Sequence, residues 1–171
     1  MKLIGACLVM AGSMGLAATR IKKDRKRKEL LKQLQNLFAL LHSEIWYRNL
    51  TIAEAFLHIS SRIDLYLSLF LQRIVREWKQ KDGKLIREIW NDWVQTYFAN
   101  SSLTKEDIIW ISKLGEGLGS FDRTEQIRQI EYLTDYLKQE EELCEKKVRE
   151  SEKMYRTMGV LIGIFIIVLL F

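Results

Sequence analysis

An all-α protein, a cytoplasmic bundle of about six helices flanked by two transmembrane helices, is what three features of the sequence predict. The first is the absence of proline from 171 residues, where average usage near 5% would give roughly eight. Sheet proteins and ordered linkers use proline as punctuation, so a chain without it is read as helices joined by short turns. The second is an uncharged, apolar stretch at each end. The third is apolar spacing of three and four residues almost everywhere between them.

The elements follow in order. Residues 3–19, LIGACLVMAGSMGLAAT, carry no charge and run into RIKKDRKRK, seven basic residues and one acid in nine. A cleaved secretory signal would carry its charge ahead of the apolar run. With the charge behind it, the positive-inside rule sets the amino terminus outside and the chain from residue 20 onward in the cytoplasm. Residues 1–19 are thus read as transmembrane helix 1 and 20–28 as a basic juxtamembrane segment. At the other end KKVRESEKMYR leads into TMGVLIGIFIIVLLF, and residues 157–171 are read as transmembrane helix 2, which returns the carboxyl terminus to the outside. Fifteen positions span roughly 22 Å against a hydrocarbon core of about 30 Å, so this helix needs local thinning and help from its flanks. Ala11 and Gly15, and Gly159 and Gly163, stand at small-xxx-small spacing suited to close helix packing in lipid. A contact within the chain and a homo-oligomer both remain open.

Residues 29–156 form the expected cytoplasmic helical domain. Leu30, Leu31, Leu34, Leu37, Phe38, Leu41 and Ile45 mark an amphipathic helix over about 24–47. Thr51 and Glu54 make a capping box for a second helix. A third runs through LYLSLFLQRIVREWKQ to the break at Lys81, Asp82 and Gly83, and a fourth covers LIREIWNDWVQTYF. Thr104 and Asp107 resemble a cap for a fifth, EDIIWISKL. The sixth is capped by Ser120, with Asp122 and Glu125 in its first turns, and runs unbroken into the membrane. Such a helix would pass tilt and rotation from the domain to the bilayer.

KLGEGLGSFDRTEQ, at 113–126, holds three glycines in five positions. It matches neither dinucleotide nor P-loop spacing, no strand precedes it, and Glu116 would repel phosphate. The residues Gly115, Gly117, Leu118, Gly119, Ser120, Asp122 and Gln126 are therefore read as a structural or partner-facing corner. In that reading Gly115 follows the helix end, Leu118 points inward and Gly119 supplies a positive φ ahead of the Ser120 cap. The acidic stretch QEEELCEKKVRESEK has i,i+4 pairs (Lys138 with Glu142, Glu142 with Lys146, Glu145 with Arg149) and is read as a solvated face. His42 and His58 have no ligand-spaced neighbours, and Cys7 and Cys144 lie too far apart in sequence to suggest a zinc site or a disulfide. No catalytic residue, cofactor or metal is expected. The pI is near 9.2, yet removing residues 20–28 from a net +5 leaves about −1. The basicity then suits membrane lipids, with no basic face for nucleic acid.

The blocks LGEGLGSFDRTEQIRQI (114–130) and EKMYRTMGVLIGI (152–164), the earlier LQNLFALLHSEI, and the order apolar segment, helical domain, apolar helix resemble the stage III sporulation protein AB family of endospore-forming bacteria. The likeness spans essentially the whole chain. It implies a helical domain similar to those of type II secretion inner-membrane platform proteins. It also implies a place in the transenvelope channel between mother cell and forespore, in the mother-cell membrane around the forespore. The partners it implies are a cognate secretion-type ATPase and the channel's other membrane proteins. The alternative reading is a membrane-tethered enzyme handling nucleotide or phosphate through the Gly115 to Gly119 segment.

Overall fold

The computed structural model describes residues 2–80, 83–118 and 122–170, with the side chains of 2–18, 156, 160 and 162–170 outside that description. The described residues form six α-helices and no strand: α1 (Lys2–Arg48), α2 (Ile52–Ser60), α3 (Leu65–Lys79), α4 (Ile86–Phe98), α5 (Lys105–Leu118) and α6 (Arg123–Leu170). At 1.5 Å per residue the two long helices each reach about 70 Å. They lie antiparallel along one another, as cross-pairs between Arg25 and Glu152, Lys28 and Glu145, and His42 and Glu131 require. The four short helices pack in chain order against their neighbours and against one half of this hairpin.

Leu31, Leu34, Leu37, Phe38, Leu41 and Ile45 of α1 are all buried and meet Ile130, Leu133 and Leu137 of α6 in one core with α2 to α5. Trp90 of α4 occupies its centre with no exposed surface. Its ring lies 5.8 Å from Phe56, 5.4 Å from Phe70 and 6.5 Å from Phe38. Its indole N–H donates to the Ile111 carbonyl at 2.8 Å, so the one polar atom of the side chain is satisfied within the core.

The turns carry the expected local chemistry in part. Thr51 and Glu54 exchange a capping box. Thr104 and Asp107 do the same at α5: the Thr104 N–H donates to Asp107 at 2.8 Å and the Asp107 N–H donates to the Thr104 hydroxyl at 3.2 Å. Asn49, at φ 60°, stops α1 in a left-handed conformation that asparagine tolerates. Arg123, the first residue of α6, reaches back to donate to the Trp46 carbonyl at 2.7 Å, satisfying an acceptor at the α1 end.

Three expectations are corrected. The first bundle helix does not start near residue 24, because α1 is one helix from Lys2 onward, without a break at the basic run. The fifth helix does not end before Gly115, because α5 continues to Leu118. At the described start of α6, Arg123, the cap is Asp122, with Ser120 outside the described residues: the Asp122 carboxylate accepts from the Thr124 N–H at 2.9 Å, and its carbonyl accepts from the Gln126 N–H at 3.1 Å. Among the described residues no helix is long and apolar enough to cross a membrane. Most of the side chains of the two expected transmembrane segments, 1–19 and 157–171, lie outside the described set.

Candidate functional site

A buried charge cluster ties α1, α5 and α6 together. Arg27 is 8% exposed and Asp107 fully buried. The Arg27 guanidinium donates through Nε and Nη2 to the two Asp107 oxygens, both at 2.8 Å, a bidentate pairing suited to its planar fork. Nη2 also donates to Glu140 at 2.6 Å, and Nη1 points at the Cys144 sulfur at 3.3 Å. The Tyr136 hydroxyl donates to Asp107 at 3.1 Å. The Asp107 carboxyl therefore holds four contacts: two from Arg27, one from Tyr136 and one from the Thr104 N–H.

The protonation states follow from these neighbours. Burial alone would push the Asp107 carboxyl up, but the Arg27 hydrogen bonds, the Thr104 donors and the Arg27 charge together hold it below its ordinary value. Arg27 is held above its ordinary value chiefly by its hydrogen bond to Asp107, against the effect of burial. Burial, then the Asp107 charge, raises the Tyr136 phenol, and burial raises the Cys144 thiol against the pull of Arg27. At neutral pH this is an Arg27–Asp107 ion pair beside a neutral phenol and a neutral thiol, with Glu140 accepting a further Arg27 hydrogen bond. It has no free base, and among the described residues no group of three or more His, Cys, Asp or Glu is placed to hold a metal.

Arg27 thus belongs to the protein interior and not to a uniform lipid-facing basic segment. The acidic stretch is likewise not simply a solvated face. Besides the Glu145 to Arg149 pair along α6, Glu140 turns to Arg27, Glu141 to Gln35 at 3.3 Å, Glu145 to Lys28 at 3.2 Å and Glu152 to Arg25. The two charge runs close on one another and zip the long helices together. Near the other end Glu44, 3% exposed, accepts from His58 Nδ1 at 2.8 Å, with Arg48 and Arg62 each 3.5 Å away. His42 faces Glu131 at 3.2 Å.

The glycine-rich segment is packing rather than an open loop. Gly115 and Gly117 are buried inside α5. A Cβ on Gly115 would stand 2.8 Å from Trp90 Cδ1 and 3.3 Å from the Arg87 carbonyl oxygen, and one on Gly117 would stand 2.7 Å from Gln129 Cγ. The space a phosphate would need at these two positions is filled by α4 and α6. Leu118 is buried, Asp122 is exposed and Gln126 half-buried, while Gly119 and Ser120 lie outside the described residues. Of the residues expected to pack helices in a membrane, Gly159 has no neighbour within 4 Å of where a Cβ would stand. The surroundings of Ala11, Gly15 and Gly163 are outside the description.

Sequence reasoning missed the Arg27 cluster although a signal was present. Arg27 continues the stripe Leu31, Leu34, Phe38, Leu41 backwards by four residues, and Asp107 does the same for Ile111, Leu114, Leu118. Polar residues on the core register of two helices are candidates for pairing with one another.

Comparison with known proteins closes the description. The sequence model of the family described as stage III sporulation protein AB matches residues 2–171. Stage III sporulation protein AB of Bacillus subtilis (strain 168) is 24% identical over 172 residues, covering 99% of each chain. A solved structure titled Stage III sporulation protein AB superposes with a TM-score of 0.65 at 20% identity, over 72% of this chain and 97% of that one, which shows a shared fold.

Proposed function

Since the chain belongs to the stage III sporulation protein AB family, we propose that it is a non-enzymatic membrane platform subunit of the sporulation channel. In this role it docks a cognate secretion-type ATPase on the cytoplasmic side and passes its motion to the other channel proteins in the mother-cell membrane. Two transmembrane segments, 1–19 and 157–171, hold it there with both termini outside. The observation that carries the reading is the antiparallel register of α1 and α6. Pairing of Arg25 with Glu152 and of His42 with Glu131 sets residue numbers whose extrapolation brings 3–19 alongside the last residues of α6. The two apolar ends thus leave the bundle together, as two passes through one bilayer require. Both are continuous in helix with the domain, so the Arg27 cluster, which clamps α5 to both, supports a rigid unit that moves as one body.

The test is a helix break between the bundle and the membrane. Glu150 is exposed, so Glu150→Pro interrupts α6 at a cost of about 3 kcal/mol without removing a core contact, and Glu150→Ala is the control. The full chain carrying Glu150→Pro is expected to retain the ATPase in a detergent pull-down while spore formation falls sharply. Normal spore formation with Glu150→Pro would remove the mechanical role. Absence of the ATPase from pull-downs of the wild type would remove the docking role.

A further inference from the structure

The basic run is divided by the helix into two faces with different fates. Arg25, Arg27 and Lys28 are each paired with α6 carboxylates. Arg20, Lys22, Lys23 and Lys26 are exposed and have no ion-pair partner among the described residues. The three lysines, with Thr19, form one wall of a recess of about 320 Å³ whose other wall is Asn100, Ser101 and Ser102, the turn between α4 and α5; Lys22 stands at its edge and also borders Arg25 and Glu152. No Asp or Glu lines the recess.

That turn is held in place. The Ser101 N–H donates to the Phe98 carbonyl at 3.0 Å, and the Leu103 N–H donates to the Ser101 hydroxyl oxygen at 3.2 Å, which leaves the Ser101 O–H free to donate outward. The Asn100 and Ser102 side chains have no partner among the described residues. Lys23 and Lys26, with Lys22 at the edge shared with Glu152, thus face two hydroxyls and an amide across a gap that no carboxylate lines. This arrangement suits a tetrahedral oxyanion, which takes point charges from lysine and directional hydrogen bonds from neutral donors. Lys22 stands three residues after Thr19, roughly 4.5 Å along the helix, and the headgroup layer on each side of a bilayer is about 5–8 Å deep. The recess is therefore at the depth of lipid phosphates if 1–19 crosses the bilayer.

We propose that this recess is a binding site for the phosphate of an anionic phospholipid headgroup, which seats the α4–α5 turn against the membrane. The proposal rests on the membrane reading above, and its test separates the two. The full chain in neutral detergent is offered equal amounts of phosphatidylglycerol and phosphatidylcholine, and retained lipid is counted by native mass spectrometry. A parallel arm measures incorporation into phosphatidylcholine nanodiscs. Near an anionic surface each lysine contributes roughly a fivefold factor, so the triple variant Lys22→Gln, Lys23→Gln, Lys26→Gln is expected to lose the phosphatidylglycerol preference by on the order of 100-fold. Arg25→Gln with Lys28→Gln, which removes two charges already paired, should change it less than about threefold, and Ser102→Asp across the recess should abolish most of it. Circular dichroism checks that each variant is folded.

Equal losses in the triple and the Arg25/Lys28 variants would mean diffuse attraction to a basic helix and overturn the site. Absence of any preference in a wild type that enters nanodiscs would do the same, while failure to enter nanodiscs would overturn the membrane reading itself. Thermal stabilisation of lipid-free wild type, but not of the triple variant, by millimolar inorganic phosphate without lipid preference would reassign the site to a free phosphate and overturn the headgroup.

Discussion

Removing the Asp107 carboxylate tests the buried cluster most directly. In Asp107→Ala the Arg27 guanidinium, 8% exposed, loses both of its bidentate bonds and keeps only Glu140 and the Cys144 sulfur. Breaking a buried pair from one side costs about 3–5 kcal/mol. The surviving Glu140 contact sets the value near the lower end, and the lost acceptor for the Thr104 N–H adds about 1 kcal/mol. A total of about 4 kcal/mol lowers the melting temperature by roughly 8–16 °C for a chain of this size. The second half of the test is the paired change. Arg27→Met with Asp107→Leu replaces both charges by apolar groups, an exchange that is often neutral or stabilising, so the double variant should recover most of the loss. Guanidinium titration of the full chain in detergent, followed by far-UV circular dichroism, reads the wild type, Asp107→Ala, the double variant and its two singles Arg27→Met and Asp107→Leu, provided the slope with denaturant is unchanged. A single-variant loss under about 1 kcal/mol, or a double variant as unstable as the sum of its singles, would show that the cluster is not a coupled unit. The acid limb carries the same signature. The folded Asp107 carboxyl lies below its unfolded value, so its contribution is complete above about pH 4 and is lost as pH falls through the folded value. Asp107→Asn should therefore be less acid-sensitive than the wild type below pH 4.

Three other outcomes are expected. Tyr136→Phe removes a phenol whose neutral form the fold favours: the wild type is fully stable below the unfolded value of about 10 and loses stability above it, and the variant should lack that alkaline loss while giving up about 1–2 kcal/mol at neutral pH. Gly115→Ala puts a methyl 2.8 Å from a Trp90 ring that cannot retreat, and Gly117→Ala puts one 2.7 Å from Gln129 Cγ and 2.9 Å from its Cβ, the fixed root of that side chain; in both, overpacking of about 1–3 kcal/mol should exceed the helix-propensity gain of about 1 kcal/mol and lower the melting temperature. Glu44→Ala should cost only about 1–2 kcal/mol in the same denaturant assay, less than Asp107→Ala, because His58, Arg48 and Arg62 all reach water and can be resolvated.

The helices were legible because their signals are local. A Thr51 to Glu54 cap, the Gly83 break at φ 73° and an apolar stripe of seven residues in α1 each act within one or two turns of the chain. The reading of Gly115 as the residue after a helix end misled for the same reason. Glycine spacing reads as backbone freedom, whereas Gly115 is required by Trp90, twenty-five positions earlier in the sequence, whose ring passes where a Cβ would stand. No pattern along α5 alone reports that contact. The Asp122 cap, two residues after the expected Ser120, is a boundary effect of a kind that sequence alone places loosely.

The charges show why composition was the weaker guide to the site. Counting residues 20–28 as one pool of net +6 treats nine side chains as if they faced one environment. A helix turns about 100° per residue, so neighbours in that pool look in opposite directions. Arg27 falls on the core stripe and pairs with a carboxylate eighty residues away, Arg25 and Lys28 meet the acidic half of α6, and Lys23 and Lys26, with Lys22 at the boundary beside Glu152, face a neutral turn. The acidic stretch around Glu140 to Glu152 is cancelled by the same geometry, and its i,i+4 pairing along α6 accounts for only part of it. The charge of this run left without an ion-pair partner among the described residues is therefore Arg20 and three lysines, and of these the lysines line the recess. Neutralising those three alone, and not the run as a whole, is the perturbation that separates a built site from a basic helix.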